Sequence, residues 1–293
     1  MEAVRFGIEF TKLLFKRTSS ALASCSGRPR WAGAAGQGHN GAVTRPPTPL
    51  PCDVWWASPA LAGPGLLALL DGDERRRHAR YRIPADRDRY AVAHALARIV
   101  CADAAGCTPG DVAFTLRCPR CAAGAKARRE PHGKPVPAGP AHGWEMSISH
   151  SGERVVVALA KGVPIGVDVE LVRADRDIDG LLDYALTDAE RADLATAGPE
   201  GRTAGFYTYW ARKEALLKAT GEGLAGGLTS VSVTGPTEPA DVLAWDSPSA
   251  PPHVRLTDLA ADGPYRAALA ALTAEPLDVR VHDAAPLLTA AGR

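Results

Sequence analysis

The sequence predicts an α+β chain of two similar halves that meet near residue 163. Three observations carry this. The order strand, helices, strands occurs twice along the chain, without obvious sequence identity between the copies. A length of 293 residues suffices for one large or two modest domains. Hydrophobic residues make up 46% and charged residues 23%, within the range of globular chains that bury a core.

The elements follow in order. Residues 1–51 are expected to be an N-terminal extension, disordered or weakly folded. Residues 19–51 in particular are rich in Gly, Ala, Ser and Pro and lack periodic apolar positions. Asp53-Val54-Trp55-Trp56-Ala57 reads as the first strand. An Arg-dense helix is expected from Asp71 to Tyr81. Pro84 then opens a second helix that runs to about Ala104 and buries Tyr90, Leu96 and Val100. Asp111 to Arg117 alternates as a strand, and residues 118–143 read as a long loop. Trp144 to Ser149 and Arg154 to Ala160 form a hairpin around Ser151-Gly152. These complete the first half, 52–163.

The second half, 164–282, opens with a strand at Pro164 to Glu170. Thr187 and Asp188 cap a short helix that includes Glu190. A long helix spans Arg202 to Thr220 and stops at Gly221. Four short alternating runs, Ser230 to Thr234, Val254 to Asp258, Tyr265 to Leu272 and Asp278 to His282, read as an antiparallel sheet. Residues 283–293 are a tail.

Composition excludes several function classes. A net charge of +1 offers no global field for nucleic acid or an anionic membrane. No apolar run approaches a membrane span. Glu9 and Lys12 interrupt the apolar stretch at the N-terminus, so no signal peptide is expected. The six cysteines lack the spacing of a secreted disulfide framework. Cys118-Pro119-Arg120-Cys121 is one local pair. His132 or His142 would have to complete a zinc site there, and a turn with two unmetallated thiols is the expectation.

The chemistry concentrates in two acidic motifs. In Ile165-Gly166-Val167-Asp168-Val169-Glu170, strand alternation puts Asp168 and Glu170 on one face. In Trp210-Ala211-Arg212-Lys213-Glu214-Ala215-Leu216-Leu217-Lys218, helical spacing puts Trp210, Glu214 and Lys218 on one stripe. Brought together, they offer three carboxylates and a lysine, the inventory for a hard divalent cation beside a phosphate-bearing substrate. Two further stretches suit phosphate oxygens: Gly133-Lys134-Pro135 and Ser147-Ile148-Ser149-His150-Ser151-Gly152. Taken singly, each is ordinary. A Glu-Lys pair four apart is usually a solvated ion pair, and a lone histidine is usually a core residue.

As an ordered set, with Phe206-Tyr207 preceding the second acidic motif, these stretches resemble the surfactin-type 4′-phosphopantetheinyl transferases. The resemblance covers about residues 52–282. It implies a pseudo-twofold pair of α+β halves with the site in the cleft between them. It implies transfer of the phosphopantetheine arm of coenzyme A to a serine of an acyl or peptidyl carrier protein, in polyketide, nonribosomal peptide or fatty acid synthesis. By the same resemblance, Asp168, Glu170 and Glu214 hold Mg²⁺. Glu214, Lys218 and His150 are catalytic. Lys134, Ser149, His150, Arg77, Arg89, Lys213 and Lys218 contact coenzyme A. Glu74 stands where the family has its first basic residue of this stretch, leaving the 3′-phosphate to Arg75, Arg76 or their neighbours.

The expected enzyme is a cytoplasmic monomer that binds neither nucleic acid nor membrane. The alternatives are a coenzyme A-binding module without transfer and a metal-dependent phosphohydrolase. A carrier-docking patch is expected within Arg173 to Leu186, using Ile178 and Leu181.

Overall fold

Two helices of equal length organise the chain, and their sequences explain why. In the computed structural model, which describes residues 48–122, 124 and 132–293, the helices at Pro84–Ala105 and Pro199–Thr220 each have 22 residues. Each opens on a proline, whose missing N–H is one the first turn cannot use anyway. Each ends at a glycine in the left-handed region, Gly106 at φ 67° and Gly221 at φ 81°.

The chain runs β1 (Leu50–Ala57), α1 (Pro64–Leu69), α2 (Gly72–Arg80), α3 (Pro84–Ala105), β2 (Ala113–Arg117), α4 (Pro119–Ala122), β3 (Lys134–Ala138), β4 (Trp144–Ser151) and β5 (Arg154–Lys161). It continues β6 (Ile165–Leu171), α5 (Asp179–Ala185), α6 (Asp188–Ala195), α7 (Pro199–Thr220), β7 (Val231–Val233), β8 (Val242–Trp245), β9 (Arg255–Asp258), β10 (Tyr265–Ala271), β11 (Leu277–Asp283) and α8 (Ala285–Ala291). Short 3₁₀ turns link some of these.

The main sheets have orders β11-β1-β5-β4 and β6-β10-β9. Within them β1-β5-β4 and β6-β10-β9 share one antiparallel pattern, and each has its 22-residue helix between its first two strands in chain order. The α+β class and the repeated element order are therefore both present. Three apolar clusters fill the interior. Leu96 and Val100 of α3 pack with Met146, Val157 and Leu159. Phe206, Leu216 and Leu217 of α7 pack with Ala268 and Ala270. Between the sheets, Val54, Val156 and Ala158 meet Ile165, Val167, Val169 and Leu269.

Several expectations need correction. β11 pairs in parallel with β1, Val54 opposite Val281, so it does not belong to the C-terminal antiparallel sheet. Alternation reports which face a residue takes and says nothing of strand direction. β1 begins at Leu50 and not at Asp53, so the expected extension overlaps the core by two residues. Pro51 fits because β5 pairing starts only at Cys52. The rest of the extension up to residue 47 lies outside the described residues. The expected loop 118–143 contains β3, paired with β2 from Ala113↔Ala138 to Arg117↔Lys134. The expected tail carries α8, whose Gly292 backbone abuts Gly65 so closely that a Cβ there would meet it at 2.3 Å.

Candidate active site

β6 has β10 on one side only, and its other edge would be left with bare backbone groups. Three serines of β4 cover that edge. Ser147, Ser149 and Ser151 point the same way because strand side chains alternate. They accept from the N–H groups of Val167, Val169 and Leu171 at 3.0, 3.3 and 3.1 Å. Two lysines cover the carbonyls. Lys134 donates to Ile165 O at 2.8 Å and Lys218 to Val167 O at 3.2 Å. The serine motif thus joins the two halves through side chains where a backbone ladder would otherwise be needed.

On the opposite sequence level, Gly166 decides how near α7 comes. A Cβ on Gly166 would stand 2.0 Å from Ala215 O and 2.4 Å from Ala219 N. Only glycine allows this contact, and it brings Glu214 and Lys218 of α7 over β6. Arg212 pins the same helix from its other side. Its guanidinium grips Asp258 at 2.9 and 2.6 Å and donates to the carbonyls of Thr234, Gly235 and Glu238.

The two acidic motifs meet as a result. Lys218 Nζ donates to Asp168 Oδ1 at 2.6 Å and to Ser149 Oγ at 2.9 Å. Ser149 donates to the same Asp168 oxygen at 2.8 Å, and Ser151 donates to Glu170 Oε2 at 3.1 Å. Asp168 Oδ2 is buried without a hydrogen-bond partner. Three carboxylates thus face a single ammonium. Burial, then the Asp168 charge, pushes Glu170 up to about 8 and Glu214 up to about 7. Burial also raises Asp168, against the pull of Lys218. For Lys218 burial acts downward, but the Asp168 and Glu214 charges outweigh it and raise the ammonium pKa. The Lys218 side chain is 27% exposed, so a solute can reach the cluster.

A positive rim adjoins it. Arg89 of α3 donates to Gly152 O at 2.8 Å and pairs with Asp86. Burial, followed by the charges of Arg89, Lys218 and His94, lowers His150 to about 4, so its ring is neutral at pH 7. His94 stacks on Tyr90 at 4.0 Å and hydrogen-bonds Glu74 at 2.9 Å. Arg77 lies exposed in the last turn of α2, where its charge reaches Tyr81 and Tyr90.

Three expected coenzyme A contacts are already engaged within the protein, and one of them, Lys213, lies away from the cluster. Lys213 is fully buried and donates to Glu190 and to the carbonyls of Ala185 and Leu228, which uses its three protons. It neighbours Glu214 in sequence but lies about 100° around the helix. The Lys134 side chain is 7% exposed, pairing with Glu145 at 3.1 Å as well as Ile165 O. Ser149 is likewise spent on Asp168 and the β6 edge. Glu74 is buried: it closes the α2 capping box with Asp71 and accepts from Arg98 at 2.7 Å. Ile178 is 4% exposed and belongs to the C-terminal core, while Leu181, Leu182 and Tyr184 are half-buried against that cluster, so Ile178 is core and not part of an open docking patch. Sequence reasoning missed Gly166, His94 and the edge-covering role of the serines. A glycine within a β-branched strand and serines at period two were the available signals. A cleft of about 280 Å³ lined by Thr208, Asp258, Tyr265 and Arg266 contains none of the three clustered carboxylates.

Comparison with known proteins places this geometry. Residues 164–270, which carry both acidic motifs, match the family model of the 4′-phosphopantetheinyl transferase superfamily. The 4′-phosphopantetheinyl transferase HetI of Nostoc is 30% identical over 61% of this chain and 73% of its own length. A Bacillus subtilis 4′-phosphopantetheinyl transferase is 30% identical over 57% of this chain and 67% of its own. A Synechocystis protein whose designation as such a transferase is provisional is 32% identical over 57% of this chain and 63% of its own length.

Proposed function

Because the chain belongs to the 4′-phosphopantetheinyl transferase superfamily, we propose that it transfers the 4′-phosphopantetheine arm of coenzyme A to a serine of an acyl or peptidyl carrier protein. The observation that carries this reading is the surplus of buried carboxylate over cation where the acidic motifs meet. Asp168 Oδ2 has no partner, and Glu170 and Glu214 are held near neutrality. That donor set suits a hard divalent cation, with Asp168, Glu170 and Glu214 as its ligands once side-chain rotation draws their oxygens together. Mg²⁺ bound there would neutralise pyrophosphate oxygens and lower the cost of bringing a nucleophile to them.

The chain's own residues divide the remaining work. The carrier serine oxygen attacks the β-phosphorus of coenzyme A. The bond to the bridging oxygen breaks, and adenosine 3′,5′-bisphosphate leaves with the electron pair. Glu214, which α7 carries over β6 beside Asp168, is the carboxylate assigned to take the serine proton. Lys218 keeps its charge and supports the leaving phosphate. Neutral His150 offers an N–H to a phosphate oxygen, and Arg89 beside it adds positive charge. Asp168 is kept in place by Ser149 and Lys218.

The carriers of polyketide, nonribosomal peptide or fatty acid synthesis are the substrates proposed, with the chain acting as a monomer in the cytoplasm. Among the described residues no helix is long and apolar enough to cross a membrane. Incubation with fluorescent coenzyme A and a panel of apo-carrier domains, read on a gel, tests the reading. Mg²⁺-dependent labelling of a carrier supports it. Bisphosphate release with no carrier present would favour a hydrolase, and coenzyme A binding without label would favour a binding module.

A further inference from the structure

At the open end of the β2–β3 hairpin, three soft donors converge. The ladder ends at Arg117↔Lys134, so Cys118 and Gly133 follow it directly on the two strands. Gly133, at φ 125°, presses on the other strand: a Cβ there would stand 2.5 Å from Arg117 O and 3.1 Å from Cys118 N. α4 then turns Cys121 back toward Cys118, since residues three apart share a helix face. From the other strand, His132 Nε2 lies 3.2 Å from Cys121 Sγ. The ligand atoms of Cys118, Cys121 and His132 all lie within 4.8 Å of one another, and each residue is half-buried.

We propose that Cys118, Cys121 and His132 bind a zinc-class ion that clips the base of the β2–β3 loop. A tetrahedral ion with bonds of ~2.3 Å to sulfur and ~2.0 Å to nitrogen sets donor separations of about 3.5–3.8 Å. The 3.2 Å and 4.8 Å figures bracket that range, so small side-chain rotations complete the site. Two thiolates and an imidazole select a borderline-soft ion over Mg²⁺, whereas the carboxylate cluster selects the reverse. Three protein ligands leave the fourth position to a solvent molecule. The two sites share no residue.

The clip has a structural consequence. It ties Cys118 and Cys121 to His132, two positions before Lys134, and Lys134 holds Glu145 and the Ile165 carbonyl at the β6 edge. It also fixes α4 where Pro119 packs against the end of α7, 3.7 Å from the Cβ direction of Gly221.

The test uses the full chain, purified without chelators or affinity metals, and reads metal by elemental analysis. About one zinc per chain is expected in the wild type and equally in Asp168→Asn. The Cys121→Ser and His132→Gln variants should fall below a tenth of that. Co²⁺ replacement in the wild type should give thiolate-to-cobalt charge-transfer absorption, a readout independent of whether any variant folds. Substoichiometric zinc with no such absorption overturns the proposal and leaves a thiol–imidazole hydrogen bond. Zinc retained in Cys121→Ser, or lost in Asp168→Asn, also overturns it by moving the ion to other ligands.

Discussion

Lys213 and Glu214 are neighbours on α7, yet they face two opposite electrostatic designs. Lys213 looks into a closed account. Its ammonium meets one carboxylate and two carbonyls, and Glu190 in turn accepts from Lys213, from Thr187 N at 2.8 Å and from Val233 N at 3.0 Å. Glu214 looks into an open one, where three carboxylates share one ammonium and an Asp168 oxygen has no partner. Both regions are buried and both hold charge. The difference lies in whether the charges balance, and imbalance marks the place where a charged ligand is still to come.

The balanced pair gives the largest expected effect. Lys213→Ala strands the Glu190 carboxylate inside the C-terminal core, and breaking a buried pair by removing one partner costs about 3–5 kcal/mol. For a chain of this size that lowers Tm by about 10 °C. Activity per folded molecule should stay within about twofold of wild type, because no Lys213 proton faces the cleft. A thermal melt and a carrier-loading assay on the same sample check this. A normal Tm with a raised KM for coenzyme A would reverse the assignment and return Lys213 to the substrate site.

The unbalanced cluster should behave in the opposite sense. Asp168→Asn keeps the side-chain shape and removes one of the crowded charges. The metal-free Tm should hold or rise, while transfer falls by about 10²–10³ or more, the scale for losing one group that stabilises developing charge. A collapse in Tm with transfer per folded molecule preserved would show that Asp168 is structural.

The two designs differ in how far they could be read from sequence. The Asp168 and Glu170 face, the Thr187 cap with Glu190, and both long helices were legible because period and capping chemistry are local. Lys213 was misplaced because a motif gives residue order, while its partner Glu190 is brought in by tertiary packing from α6. The second task of Ser149, covering the β6 edge, is not legible because nothing local shows that this edge is uncovered. β3 does not read as a strand from sequence because it holds Pro135 and Pro137. Their alternate spacing puts both missing N–H groups on one side, which a two-stranded ribbon tolerates. The parallel return of β11 to β1 links residues more than two hundred apart, and no window along the chain contains both.

The smallest effect is the pH dependence of the metal-free protein, and its sign separates the two designs most directly. Glu170 at about 8 and Glu214 at about 7 both sit above their ordinary carboxylate values. A carboxyl raised in the folded state binds its proton more tightly there than in the unfolded chain. Its stabilisation is full at low pH and is lost as pH climbs through the folded value. His150 runs the other way. Held down to about 4, it binds protons less well when folded, so stability rises with pH until the ring is neutral in both states, near 6.5. Below about 6.5 His150 offsets only one of the two carboxyls, so the metal-free Tm should already fall with pH there, less steeply than above. Between about 6.5 and 8 only the carboxylates still titrate, and the metal-free protein should lose on the order of 2 kcal/mol, about 4–8 °C in Tm. Saturating Mg²⁺ should abolish the fall, because a cation among the carboxylates removes the reason for their raised values. A metal-free Tm that is flat or rising from pH 6.5 to 8 would mean that the three carboxylates are already compensated, and the contrast between the two faces of α7 would not stand.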